Sequence, residues 1–246
     1  MMIPNNWIKP DWPAPLNIQA FTTTRNLTVH DKVLDFNLGL HATQYPASVK
    51  SNRALLDKIV GNPIHWLNQI HSAEIAQLPN ADAVLNADGA FSITKNTICA
   101  VMSADCMPVL ICDTSGFLVC ALHCGWRGFA QNIIQNAVKK IRIHTNNPLM
   151  AWLGPAIGVK FYEVGEEIRE LFVKYFFESG VAFTSHAVPG KYWLDLTQLA
   201  KLLLHREGIE SIFEEAYCTY QNAQDFYSAR RDKNTGRFAT VIWKTE

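Results

Sequence analysis

Thiol and imidazole side chains do most of the nucleophilic and metal-binding chemistry open to a protein. In this 246-residue chain they meet in two neighbouring segments, 103–113 and 117–134. Cys106 stands where the apolar run 97–102 has ended and Pro108 opens the next. His123 ends the apolar run 117–123, directly before Gly125-Trp126-Arg127-Gly128. Strand ends and the loops beyond them are where a scaffold presents reactive groups. If 108–112 and 117–123 pair across the turn 113–116, Cys106 and His123 emerge at the same open end of one hairpin. Such a pair is either a nucleophile with its base or two ligands of a metal. A third group, His71, follows the apolar run 64–67 within Asn68-Gln69-Ile70-His71-Ser72 and is unremarkable alone. Added to the pair, it makes one thiolate and two imidazoles, a donor set suited to zinc with an open fourth position. No further Cys or His stands at structural-zinc spacing, which favours a catalytic site.

Two segments are suited to anions. Gly125-Trp126-Arg127-Gly128 leads into a helix, where free amides and the Arg127 guanidinium both suit phosphate. Arg230, Arg231 and Arg237 fall within eight residues, read either as a solvated turn or as a second anion patch. There is no Gly-rich P-loop and no dinucleotide fingerprint. Cys99, Cys112 and Cys120 read as small buried hydrophobes. Cys124 adjoins His123 on a strand and is expected to face away from it.

These groups need elements to position them. Helical periodicity predicts helices over 47–60, 130–143, 163–178 and 196–206, the last capped by Asp195 and ended by Gly208. In 163–178 the expected buried stripe is Val164, Ile168, Leu171, Phe172, Tyr175 and Phe176. Short β-branched and aromatic runs predict strands at 17–23, 97–102, 108–112, 117–123, 149–153, 211–218 and 238–243. Strands outnumber helices and do not alternate with them. The expected fold is therefore an α/β (α+β) single domain over 1–246, with mixed sheets packed together and helices outside. Residues 1–16 are expected to form an extended arm.

Composition is that of a globular protein, with 48% hydrophobic and 18% charged residues. The formal net charge of zero argues against a general nucleic-acid or membrane-surface binder, which needs a positive excess. The N-terminus lacks the pattern of a signal peptide and no apolar run is long enough to span a bilayer. A cytoplasmic protein with six reduced cysteines is expected, as a monomer or weak homodimer.

The chain resembles the YfiH-type, laccase-like polyphenol oxidoreductase family, to which purine nucleoside phosphorylase activity is assigned. The resemblance rests on ordered matches: Thr23-Thr24-Arg25, Asn37-Leu38-Gly39-Leu40-His41, Asn52-Arg53, Asn68-Gln69-Ile70-His71, Ala81-Asp82-Ala83 and Ala104-Asp105-Cys106-Met107-Pro108. It continues through His123-Cys124-Gly125-Trp126-Arg127-Gly128, Gly154-Pro155-Ala156-Ile157-Gly158, Tyr162-Glu163-Val164-Gly165, Arg230-Arg231-Asp232 and Thr235-Gly236-Arg237. It implies mixed sheets packed together, and a site in which His71, Cys106 and His123 bind one zinc or line the active site. It further implies phosphorolysis of adenosine, inosine, guanosine and methylthioadenosine, with an adenosine deaminase side activity. Copper-dependent polyphenol oxidation and the editing of peptidoglycan precursors have also been linked to such proteins. Cys124, Ser103 and Ala229 depart from the usual alanine, threonine and tyrosine. A multicopper oxidase needs about ten histidines, mostly as His-x-His pairs; this chain has eight and no such pair. Copper is thus expected only as an alternative occupant of one three-ligand site. The His-x-Glu and Pro-Cys-x-x-Cys pattern of nucleoside deaminases is also missing, which leaves Asp105 as the nearest candidate general base. For phosphorolysis, Arg127 with Arg25 or Arg53 is expected to hold phosphate, and Asn37 and Arg230 to contribute to substrate binding. The competing readings are a metal-independent Cys106–His123 hydrolase and a non-catalytic binding module.

Overall fold

Strands whose two faces are both covered are apolar at nearly every position, because neither face meets water, and any polar residue there must find a partner. Met107–Asp113, Val119–Cys124 and Leu149–Leu153 are buried at every residue, as are Ile98–Ser103 and Phe238–Lys244. The computed structural model, which describes residues 3–29, 32–81 and 84–245, shows what covers them. Asp82 and Ala83 of the matched motif lie outside the described residues.

Two sheets pack face to face. One has six strands, in the order Ser211–Glu214, Leu149–Leu153, Met107–Asp113, Val119–Cys124, Gly89–Ser92 and Ile75–Leu78. The other has four, in the order Ile18–Thr22, Phe238–Lys244, Ile98–Ser103 and Ile64–His65. Side-chain alternation sends Leu110, Cys112, Val119, Ala121 and Trp152 of the first sheet against Cys99, Val101 and Ile242 of the second. The opposite face of the six-stranded sheet, with Val109, Ile111, Cys120, Leu122 and Cys124, packs beneath helices Ile133–Ile141, Glu166–Tyr175 and Leu196–Arg206. The outer face of the four-stranded sheet, with Ile98, Ala100, Met102 and Val241, is covered by Trp7, Phe36 and helix Pro46–Val60. The result is a mixed α/β fold of helix, sheet, sheet and helix layers.

The hairpin expected around 113–116 is present, with Pro108 opposite His123 and Met107 opposite Cys124. Asp195 caps helix Leu196–Arg206 by accepting from the Gln198 amide, and Gly208 follows with φ 76°. Three expectations need correction. Residues 130–143 are not one helix: Trp126–Ala130 and Ile133–Ile141 are separated at Asn132, whose φ is 65°. The helix expected from 163 begins at Glu166, because Glu163–Gly165 instead pairs with Lys191–Leu194. That helix ends at Tyr175, which is exposed, so the full stripe is not buried. A strand partner distant in sequence overrides the local helical period there. The strand from 211 ends at Glu214, and the chain then turns so that Cys218 bridges Ala156. The N-terminal arm is anchored by buried Trp7 and by a bridge from Ile8 to Thr22. Among the described residues no helix is long and apolar enough to cross a membrane.

Candidate active site

Residues 104–106 carry the chain from Ile98–Ser103 of one sheet to Met107–Asp113 of the other. So tight a crossover forces Asp105 to φ 101°, and Cys106 emerges at the open end of the hairpin. The buried Asp105 carboxylate accepts from the hydroxyls of Thr219 at 2.6 Å and Ser228 at 3.0 Å and from the Arg230 amide at 2.7 Å. It ties the Cys106 turn to segment 219–230, and three donors already engage its two oxygens.

His123 reaches the same end from Val119–Cys124. Its amide donates to the Asp88 carbonyl at 2.7 Å, and its Nδ1 lies 2.8 Å from Asp88 Oδ1. An ionised carboxylate only accepts hydrogen bonds, so Nδ1 carries the proton and Nε2 is left for the cavity. His71 sits in a turn with φ 59°, its Nε2 3.9 Å from Cys106 Sγ and its ring centroid 5.0 Å from that of His123. Gly125 allows this convergence, since a Cβ there would lie 2.7 Å from Cys106 Sγ.

The electrostatics follow from these contacts. Burial opposes ionisation of Cys106, but the charges and hydrogen bonds of His123 and His71 outweigh it and lower the thiol pKa. Burial also opposes charge on His123, yet Cys106 and then Asp88 outweigh it and raise the imidazole. Cys124 points to the opposite, helix-covered face, where burial drives its thiol upward. Cys124 therefore lies on the far side of the strand from the cluster that its sequence neighbour His123 joins.

The ligand atoms of His71, Cys106 and His123 all lie within 4.8 Å of one another. Zinc–sulfur and zinc–nitrogen bonds run about 2.0–2.3 Å, so small side-chain shifts would let one ion reach all three. The donor set fits a single borderline-soft ion with an open position. His123 is buried while His71 is exposed, so the cluster is anchored on one side and open on the other.

It opens into a cavity of about 340 Å³, which Asp105, Arg127 and Arg230 also line. Arg127 stacks over Trp126 at 4.3 Å and Arg230 over Tyr162 at 5.2 Å, so each guanidinium is backed by an aromatic wall. Arg237, His41 and Gln69 complete the polar lining. Burial and then Arg237 and Arg53 hold His41 below its ordinary pKa.

Arg25, Arg53 and Asn37 lie outside this lining. Arg25 donates to the Ala223 carbonyl and covers the Tyr227 ring. Arg53 donates to the Leu38 carbonyl and stacks on Trp66 at 4.1 Å. Asn37 accepts from the amides of Gly39 and Arg237. Of the C-terminal arginines, Arg230 and Arg237 face the cavity, whereas Arg231 donates to the carbonyls of Thr219, Tyr220 and Phe226. Sequence reasoning assigned no role to Asp88, Gln69, Trp126 or Tyr162. Trp126 and Tyr162 fall inside matched motifs, but no spacing marks Asp88, whose partners are 16 to 35 residues away.

Comparison with known proteins identifies the family. Residues 19–245 match the family described as multi-copper polyphenol oxidoreductase laccase. The chain is 41% identical to a purine nucleoside phosphorylase of Haemophilus influenzae over 240 residues, covering 96% of this chain and 98% of the relative. It is 39% identical to purine nucleoside phosphorylase YfiH of Escherichia coli over 244 residues, with 96% and 98% covered. Among solved structures, a Neisseria meningitidis protein superposes with TM-score 0.89 at 38% identity, covering 98% of this chain and all of that one. YlmD from Geobacillus stearothermophilus gives TM-score 0.87 at 27% identity, with 100% and 98% covered. A match over nearly the whole chain, with relatives this similar, places the protein in the YfiH-type family of laccase-like polyphenol oxidoreductases and purine nucleoside phosphorylases.

Proposed function

We propose that the chain is a metal-dependent purine nucleoside phosphorylase acting on adenosine, inosine, guanosine and methylthioadenosine, with an adenosine deaminase side activity. One observation carries this reading. Arg127, Arg230 and Arg237 line the same cavity as the His71–Cys106–His123 cluster, in a chain whose formal net charge is zero. Positive charge concentrated beside a thiolate–imidazole cluster suits an anionic co-substrate that reacts there. Relatives bearing the name purine nucleoside phosphorylase support it.

His71, Cys106 and His123 would hold the ion, with zinc favoured by the donor set and copper as an alternative occupant. When bound, it supplies Lewis-acid polarisation at the open position. The arginines orient phosphate, and Trp126 and Tyr162 offer aromatic faces to the purine and ribose. In the reaction a phosphate oxygen bonds to C1′ of the ribose as the C1′–N9 bond breaks. The bonding pair leaves with the purine, which takes up the proton that hydrogen phosphate gives up as it becomes the ribose 1-phosphate ester. Phosphate-dependent release of hypoxanthine from inosine by zinc-loaded protein is the test. Release that does not depend on phosphate, or none, overturns the reading.

A second reading has its own observation: the side chains of Cys106 and His123 converge within 4.8 Å, where their charges favour a thiolate beside an imidazolium. It makes Cys106 a nucleophile with His123 as its base in a hydrolase, for example one that edits peptidoglycan precursors. Full activity in chelator-treated protein, abolished by thiol alkylation, would favour that reading.

A further inference from the structure

Nothing in the proposed chemistry accounts for Asp88, a fully buried carboxylate just ahead of strand Gly89–Ser92. Its Oδ1 accepts from Nδ1 of His123 at 2.8 Å and from the His71 amide at 3.1 Å. Its Oδ2 accepts from the amides of Ile70 at 3.1 Å and Ser72 at 2.6 Å, and from the Ser72 hydroxyl at 2.8 Å. These donors come from two separate segments, the turn 70–72 and the strand Val119–Cys124.

We infer that Asp88 is the positioning residue of the site, one carboxylate that both fixes the His123 tautomer and clamps the left-handed turn aiming His71 at Cys106. The inference rests on the reading of His71, Cys106 and His123 as one ligand cluster. Histidine ligates through one nitrogen only if the other holds the proton, and a partner that can only accept enforces that choice. The same carboxylate collects three consecutive amides of a turn whose central residue has φ 59°, a conformation that needs outside support when the residue is not glycine. The two imidazoles are therefore set by one group, and losing it disturbs both.

Asparagine is close to isosteric but cannot serve. Both oxygens of Asp88 face donors, so either orientation of the amide sets its NH2 against another N–H. The test compares wild type, Asp88→Asn and Ser72→Ala. Zinc affinity of the metal-free proteins is read by competition with a chromophoric chelator. The His123 tautomer is read by long-range proton–nitrogen NMR, with zinc and, without it, on the alkaline side of the ring's titration. Asp88→Asn is expected to bind zinc about 10–100-fold more weakly and to lose the Nδ1 proton preference while circular dichroism stays native. Ser72→Ala, which removes one of the five contacts, is expected to lose less than Asp88→Asn.

Equal and measurable zinc affinity in Asp88→Asn and wild type overturns the inference, as does a neutral wild-type His123 ring protonated on Nε2 and not on Nδ1. The wild-type spectrum needs no variant, so it decides the matter even if Asp88→Asn does not fold. A wild-type chain that binds no zinc but keeps the proton on Nδ1 sinks the metal reading and leaves the positioning role standing.

Discussion

Both ends of the hairpin formed by Met107–Asp113 and Val119–Cys124 are organised by a fully buried carboxylate. At the turn end, Asp113 accepts from the amides of Phe117 and Leu118, the hydroxyls of Ser115 and Thr145, and the side-chain amide of Asn147. At the open end, Asp88 accepts from three turn amides, the Ser72 hydroxyl and the His123 ring. For both, burial pushes the carboxyl pKa up but the donors outweigh it, leaving a net lowering. The two ends differ in what the donors can do next. The second contacts of the Asp113 donors stay at that same end, where Thr145 Oγ1 accepts from the Asn147 amide and Ser115 Oγ from the Asn147 side chain, so that network ends in structure. One donor to Asp88 is an imidazole, whose second nitrogen is available to Cys106 and the cavity. A buried carboxylate thus builds a loop in either place, and it shapes a reactive site only where a partner's second functional atom faces the cavity.

This contrast can be broken by mutation. The largest expected effect is on Cys106→Ala, which should lower inosine phosphorolysis by about 10²–10³-fold or more, the range for a group acting directly on the reacting centre. Its thermal midpoint should stay close to wild type. Asp113→Ala should do the opposite. It leaves two buried donors, the Leu118 amide and the Thr145 hydroxyl, unmatched at about 1–3 kcal/mol each, so a loss of roughly 3 kcal/mol is expected by denaturant titration, with activity per folded molecule unchanged. Turnover lost in Asp113→Ala without unfolding would dissolve the division between the two ends. Arg230→Ala and Arg237→Ala should each raise the KM for phosphate by about tenfold, near 1.4 kcal/mol, with a smaller loss of stability than Asp113→Ala, since each guanidinium also holds a backbone carbonyl. An unchanged phosphate KM in both would remove the anion role of the cavity.

The smallest effect is on acid stability. The Asp113 carboxyl has a folded pKa below its unfolded value of 3.8. Its contribution to stability is therefore fully present above that value and fades as pH falls through the folded pKa. Asp113→Asn should flatten the acid limb of the stability curve below about pH 4, which denaturant midpoints measured from pH 5 downward would show. An unaltered acid limb would mean that the lowered pKa does not contribute.

Much of the site was legible from residue types. Cys106 and His123 were marked by standing at the ends of apolar runs beside turns, and the observed register sets Pro108 opposite His123. His71 could be attached to them only through the resemblance, because no local period connects it to residues 35 and 52 positions further on. Arg127, Arg230 and Arg237 line the cavity, Arg230 and Arg237 while also donating to backbone carbonyls, whereas Arg25 and Arg53 donate to backbone carbonyls outside it. An arginine that lines a cavity and one that only braces a loop look alike until their neighbours are known. The same limit hid Asp88, an ordinary acidic residue in a turn-rich stretch.

The sequence by itself determined the layered α/β architecture and the open end at which the thiol emerges. Short continuous apolar runs rich in β-branched residues and bounded by turn signals favour strands covered on both faces, and local alternation assigns each side chain to a face. Tertiary structure alone decided which distant groups share the cavity. It also cut short the helix expected from 163 to 178, by supplying a strand partner at Lys191–Leu194. Hydrogen bonds, charge pairs and strand pairings act over a few ångströms of space, and sequence separation carries no information about which groups will meet across that distance.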